Sequence, residues 1–238
     1  MIKEAIEFII GQSRPEIITV DGREYMLPEY APAREPIPSS IETHTLTGLI
    51  DYLNHDIDET WDREDLFIHV IGHDKVELKS SLFGRFEQRA TLISCDAYDY
   101  RKPTWMPVED FIIHLNADYV RDYDYEYLAK LAAGITQAAT REAKDNGVTQ
   151  TVTVKNGISL VGEQAIKNPV QLQPYRTFPE VEQPVIDFTF RIREQNGHPM
   201  CNLFESDGNR WRLDTIRTIK AWIEAQLNVI APTIPVIA

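Results

Sequence analysis

Two cysteines in 238 residues, Cys95 and Cys201, are too few for a disulfide framework, and their spacing offers no zinc motif. Basic residues are also scarce: 24 Lys and Arg stand against 37 Asp and Glu, a formal net charge of -13. That deficit argues against a surface built to neutralise rows of phosphates, so direct nucleic-acid binding is not expected. Long apolar runs are missing as well. No segment approaches the ~18 uninterrupted apolar residues of a membrane-crossing helix. The opening MIKEAIEFIIG is broken by lysine and glutamates, unlike a secretory leader. There is no GxGxxG, no Walker A loop and no GxSxG elbow. These absences remove the commonest sequence-readable nucleotide-dependent and acyl-transfer enzymes. The expectation is a soluble cytoplasmic protein with no cofactor, no membrane segment and no recognisable catalytic signature.

What is present reads as an α+β fold. Ile2, Ala5, Ile6, Ile9 and Ile10 share one face of a short helix, and Asp21-Gly22 between two apolar runs predicts a hairpin. Residues 28–40 hold four prolines and read as an extended connector after this 1–27 unit. The main domain, 41–228, opens with the strand IETHT and the helix LTGLIDYL. LFIHVIG, KVELKSSL and RATLISCDA follow as an antiparallel meander. Two helices come next, one beginning at Pro107 and one running from about Glu126 to Ala143. VTQTVTVKNGISLVG is β-rich. IDFTFRIR alternates cleanly, with Ile186, Phe188, Phe190 and Ile192 on one side and Thr189, Arg191 and Arg193 on the other. MCNLFES and NRWRL read as a hairpin across Ser206–Asn209, and a last helix begins near Asp214. Strands in runs, not interleaved singly with helices, indicate antiparallel sheets with packed helices.

Candidate sites are few. His69 and His73 stand four apart, but in an extended strand their rings would lie ~13 Å apart, so no metal site is expected. Residues 116–128 interleave four acids with four tyrosines. Asp118, Tyr119, Tyr123 and Tyr125 form a candidate protein-docking patch there, because tyrosine gives contact area at low entropic cost. The alternative is a solvated helix end. Arg191 and Arg193 share one side of a strand, and Arg210 and Arg212 share a side of the next if NRWRL is extended. Paired strands would then carry a basic patch suited to a phosphate or carboxylate, unless these arginines pair across strands with Asp187, Glu205 or Asp207.

PYRTFPEVEQP, residues 174–184, poses the sharpest question. If VQLQPYRTF is one regular strand, Arg176 points inward beside Leu172 and Phe178 and needs a buried partner such as Glu180 or Glu182. If Pro174 breaks the strand, Arg176 turns outward, and Tyr175 with Arg176 becomes a ligand-contacting pair. The last stretch, NVIAPTIPVIA, carries no charge. Residues 229–238 therefore either fold back on their own subunit or pack on a neighbour as an exchanged arm, which makes a homo-oligomer an expectation.

LTGLIDYL, LFIHVIGHDKVEL, MPVEDFIIHL, NPVQLQPYRTFPEVEQPVIDFTFRIR and LFESDGNRWRLDTIRTIKAWI together resemble a bacteriophage and prophage protein family of unknown function. The layout is more distantly similar to the YfdQ-type prophage proteins. The resemblance runs over most of the chain after about residue 40, and it implies a phage-encoded protein made in the bacterial host cytoplasm. It brings no catalytic residues. The leading expectation is a non-enzymatic accessory protein that acts by binding, in host takeover or counter-defence. Its partner is a host protein docked on the acid-tyrosine surface or an anionic nucleotide held by Tyr175, Arg176, Arg191 and Arg193. The alternatives are an accessory factor in phage DNA replication or recombination, and an enzyme with an unrecognised site.

Overall fold

The computed structural model describes residues 37–55, 57, 61–84, 87–135 and 166–238 in full, and elsewhere the backbone of the strands named next. In chain order the elements are β1 (Ile17–Val20), β2 (Arg23–Met26), β3 (Ala31–Pro32), β4 (Ile41–Thr43), α1 (Leu46–His55), β5 (Leu66–Val70), β6 (Lys75–Ser80), β7 (Thr91–Asp96) and β8 (Met106–Pro107). There follow α2 (Val108–Asp118), α3 (Tyr125–Ala133), β9 (Lys144–Asp145), β10 (Gln150–Asn156), β11 (Ser159–Ala165), β12 (Val170–Leu172), β13 (Ile186–Gln195), β14 (His198–Glu205), α4 (Arg210–Ile230) and β15 (Val236–Ile237). The expected N-terminal helix and the part of the second mid-chain helix beyond residue 135 lie outside the described residues. The fold is α+β.

Two hydrophobic cores organise it. The first lies on a five-stranded sheet in the order β15-β5-β6-β7-β4. Alternation fixes its inward face: Leu66, Ile68 and Val70 on β5, and Val76 and Leu78 on β6, are buried while their neighbours are not. The β5-β6-β7 meander is antiparallel as expected, but both edge strands, β4 and β15, pair parallel. Leu46, Leu49 and Leu53 of α1 and Ile219, Ile223 and Leu227 of α4 close over this face. The second core lies on a four-stranded antiparallel sheet in the order β12-β13-β14-β8. Its inward residues are Ile186, Phe188, Phe190 and Ile192, as the alternation required, covered by Phe111 and Leu115 of α2 and Leu128 and Leu131 of α3.

One expectation is corrected, and the structure takes one side of two open alternatives. NRWRL is not a strand. Gly208 and Asn209 both take left-handed backbone (φ 68° and 65°) and turn the chain directly into α4, so Arg210 and Arg212 lie on the first turn of a helix. The reason is a longer pattern: Trp211, Thr215, Ile219, Ile223 and Leu227 recur every four residues and form the buried stripe of α4, which overrides a five-residue alternation. VQLQPYRTF is not one strand either, because β12 stops at Leu172, ahead of Pro174. The apolar tail packs on its own chain. Ala231, Ile234 and Val236 are buried in the first core, and Ile68 N–H donates to the Pro235 carbonyl at 2.9 Å. No described helix is long and apolar enough to cross a membrane.

Candidate functional site

The segment between β12 and β13 straps the two cores together. It leaves the second sheet, sends Phe178 and Val181 into the first core, and returns to β13. Each anchor follows from a residue type. Glu180 accepts from the backbone N–H and the hydroxyl of Thr47, both at 2.9 Å, at the N-terminus of α1, where a carboxylate is favoured. Thr177 Oγ1 donates to the His73 carbonyl at 2.5 Å. Gln183 is buried, and its side-chain oxygen accepts from the backbone N–H groups of Arg176 (2.8 Å) and Thr177 (3.1 Å). The residues that sequence reading left poised between corner and binding site are thus mostly corner, with one exception.

That exception is Arg176, which is 4% exposed and sits at the seam of the two cores. Its partner is neither Glu180 nor Glu182 but Glu205, with Nη2 donating to Oε1 at 2.7 Å. Glu205 stands opposite Phe188 at the end of β14, on the core face of the sheet. Three rings lie against the guanidinium, Tyr100 at 4.1 Å, Trp211 at 4.9 Å and Phe188 at 5.9 Å. Such contacts hold a desolvated cation more strongly than an exposed one. Burial alone would weaken the proton on Arg176, yet Glu205 and Tyr100 hold it more firmly than usual. In return, the hydrogen bond from Arg176 holds the Glu205 carboxyl below the ordinary range, despite its partial burial. Even so, Arg176 Nε is buried without a hydrogen-bond partner. Trp211 Nε1 is also buried, and the acceptor beside it is the Glu205 carboxylate.

Arg176 and Trp211 form part of the wall of a cleft of about 220 Å³. Lys102, from the β7–β8 connection, and Arg212, from the first turn of α4, add two cations. Neither closes an ion pair with a described residue, and α4 carries no acid in its first turn to offset the positive end of the helix. Tyr98 and Tyr100 supply aromatic walls. Asp74, Asp99 and His73 complete the lining. Burial lowers the His73 pKa against the opposing pull of Asp74, and Arg212 and Arg176 lower it further. The site is therefore a donor-rich pocket with a carboxylate margin.

Among protein-family models, curated proteins and solved structures, nothing matches this chain.

The residues singled out from sequence do not all meet here. Arg176 lines the cleft. Tyr175 is half exposed and anchored only by its backbone N–H to the Asp118 carbonyl at 3.0 Å. Arg191 and Arg193 lie on the opposite face of the second sheet, paired with Asn202 and Met200, so they share no pocket with Arg176. Arg193 packs its guanidinium on Trp105 at 4.1 Å and donates to Gln195 at 2.8 Å. The proposed partnership of Arg191 and Arg193 with Arg210 and Arg212 also fails, because the latter pair lies on a helix and not on a neighbouring strand.

The acid-tyrosine patch is largely internal. Tyr119 is 1% exposed and Tyr125 is 4% exposed, so neither presents contact area. Tyr119 is consumed by a 2.6 Å hydroxyl contact with Tyr100, and Tyr125 donates to Asn116 at 2.6 Å. The period of two in DYDYEY gave the wrong impression of a surface. Helical phase places Tyr125 and Leu128 on the buried side of α3 instead. Only Tyr123, about half exposed at a left-handed turn (φ 52°), faces outward. Asp118 is engaged by the His114 imidazole at 2.5 Å and by Arg101 at 3.1 Å. Among the described residues no three His, Cys, Asp or Glu side chains gather to hold a metal ion. His69 stays on β5 while His73 lies beyond its end.

Sequence reasoning missed Tyr98, Tyr100, Lys102 and Trp211, and it offered Glu205 as a partner for other arginines than Arg176. The signal was the stretch DAYDYRKPTW, where two tyrosines and three basic or aromatic residues follow a strand end. An irregular connection with that composition gives no periodic pattern to read.

Proposed function

We propose that this chain is a binding protein that takes a small oxyanion-bearing ligand in the cleft at the seam of its two cores. The observation that carries this reading is the convergence of Arg176, Lys102 and Arg212 on one cleft, where neither Lys102 nor Arg212 closes an ion pair among the described residues. Convergent donors of that kind call for acceptors. A phosphate or carboxylate supplies several, and arginine is the residue suited to it. In this reading the protein is a phage-encoded accessory factor that works in the host cytoplasm by capturing a small anionic molecule. The docking alternative is weaker because Tyr119 and Tyr125 are inside the molecule. Direct binding to DNA is disfavoured by the net charge of -13.

The test is titration with inorganic phosphate and pyrophosphate, followed by calorimetry and by NMR of the arginine and indole N–H groups. The expected result is saturable binding with shifts at Arg176 and Trp211, weakened at least roughly tenfold in K102A/R212A. Absence of saturable shifts with either anion defeats the reading.

A further inference from the structure

The cleft holds more than an anion needs. Resting on the anion-binding reading above, we propose that its ligand is a nucleoside monophosphate, with the phosphate at Arg212 and Lys102 and the base stacked on Tyr98.

Three observations lead there. The first is the state of the aromatic walls. Tyr100 and Trp211 are already occupied: Arg176 lies over both, and Trp211 also carries Arg212 at 5.4 Å and the edge of His73 at 4.7 Å. Tyr98 bears no guanidinium among the described residues and is 72% exposed, yet it is not loose. His44 stacks on one of its faces, with centroids 4.6 Å apart and 27° between planes. The His44 ring is itself fixed by Nδ1 against the Asp96 carbonyl at 2.8 Å. A tyrosine held open at a cleft mouth, backed on one face and bare on the other, is a ready platform for a planar ring. Every nucleobase has a π-face to offer it.

The second is the mixed lining. Carboxylates on the wall of a pure phosphate or polyphosphate site repel the ligand they surround. Asp74 and Asp99 make sense if the ligand also brings donors, as ribose hydroxyls and exocyclic amines do. Two free cations against two carboxylates suit one phosphate better than three.

The third is size. At about 220 Å³ the cleft is smaller than pockets that enclose a drug-sized ligand, which start near ~300 Å³. It accommodates phosphate and sugar, and leaves the base at the rim, where Tyr98 stands.

The experiment compares three probes by calorimetry on the full chain: inorganic phosphate, ribose 5-phosphate and a panel of the four common nucleoside monophosphates. At least one nucleotide is expected to bind roughly tenfold or more tighter than ribose 5-phosphate. Y98A, at an exposed position where folding is checked by circular dichroism, is expected to remove that difference, and Y98F to keep it. If phosphate and ribose 5-phosphate bind but no nucleotide binds tighter, or if Y98A leaves the difference intact, the stacked base is wrong and the anion site stands. If none of the probes binds, the anion site falls too.

Discussion

The two cores of this molecule are built from similar materials and differ in what they hide. The first buries mostly aliphatic side chains, and the buried polar residues on or beside its sheet are Gln88, Ser94 and Ser80, whose hydroxyl accepts from Ala90 N–H at 2.9 Å. The second has His114 and Asn202 buried on its own elements, and the strap between the cores adds Gln173, Arg176, Thr177 and Gln183 beside it. Polar groups of that kind are stable only when their partners are in place, since an unpaired one costs ~1–3 kcal/mol. The first core is a packing problem solved by periodicity. The second is a wiring problem, and the candidate site lies beside its Arg176–Glu205 pair.

The sharpest way to separate the two is to damage one. Deleting residues 232–238 removes Ile234, Val236 and β15, and is expected to lower stability by about 4 kcal/mol, the cost of exposing two buried aliphatic side chains. Urea unfolding measures it, and hydrogen exchange should show β5 losing protection before β13. Equal loss on both sheets would mean that the two cores are one cooperative unit.

R176A strikes the second core at the seam. It leaves the Glu205 carboxylate facing a gap and is expected to cost about 3 kcal/mol. R176M/E205M, which removes both charges, should recover most of that loss in the same denaturation assay. A double variant as unstable as the single one would show that the ring contacts, not the ion pair, carry the stability. Q183A is expected to cost about 2 kcal/mol by leaving the Arg176 and Thr177 N–H groups without their shared acceptor. A change within a few tenths would mean that water replaces the amide.

The smallest effect is one of pH. Burial lowers the pKa of His114 below its ordinary 6.5, against the pull of Asp118. The unfolded chain therefore takes up that proton first, so stability is fully present above about pH 6.5 and falls as the pH drops below it. His73 shifts the same way. H114Q should flatten the melting temperature between neutral and mildly acid pH without abolishing the slope, because His73 remains. The carboxyls held low by hydrogen bonds and cations, Asp96, Asp124 and Glu205, lose their contribution only in more acidic solution, which keeps the two windows apart. A variant with an unchanged profile would place the titration elsewhere.

The contrast also explains what could be read without coordinates. The meander of β5 to β7, the inward set of β13 and the helix α1 follow from periods of two and 3.6, which depend only on neighbours in sequence. The site does not. Arg176 finds Glu205 29 residues later, Thr177 finds His73 across 104, and Thr47 finds Glu180 across 133. No local pattern encodes those distances. Where local patterns competed, the longer one won: the four-residue stripe of α4 overrode NRWRL, and the phase of α3 overrode DYDYEY. Arg176 itself was legible as a residue in need of a partner, though the partner was not.

The order in which the chain visits its two cores has a consequence for synthesis. The first core begins with β4 at residue 41, yet needs Phe178, then Ile219 to Leu227, and finally Val236. The second is supplied almost entirely by residues 106–211. On a ribosome emitting the chain from its N-terminus, the second sheet can finish while the first is still missing its covering helix and its edge strand. The early meander must wait with its apolar face uncovered until α4 and β15 have been made. Its caretaker in that interval is whatever chaperone the cell provides, and its vulnerability is aggregation.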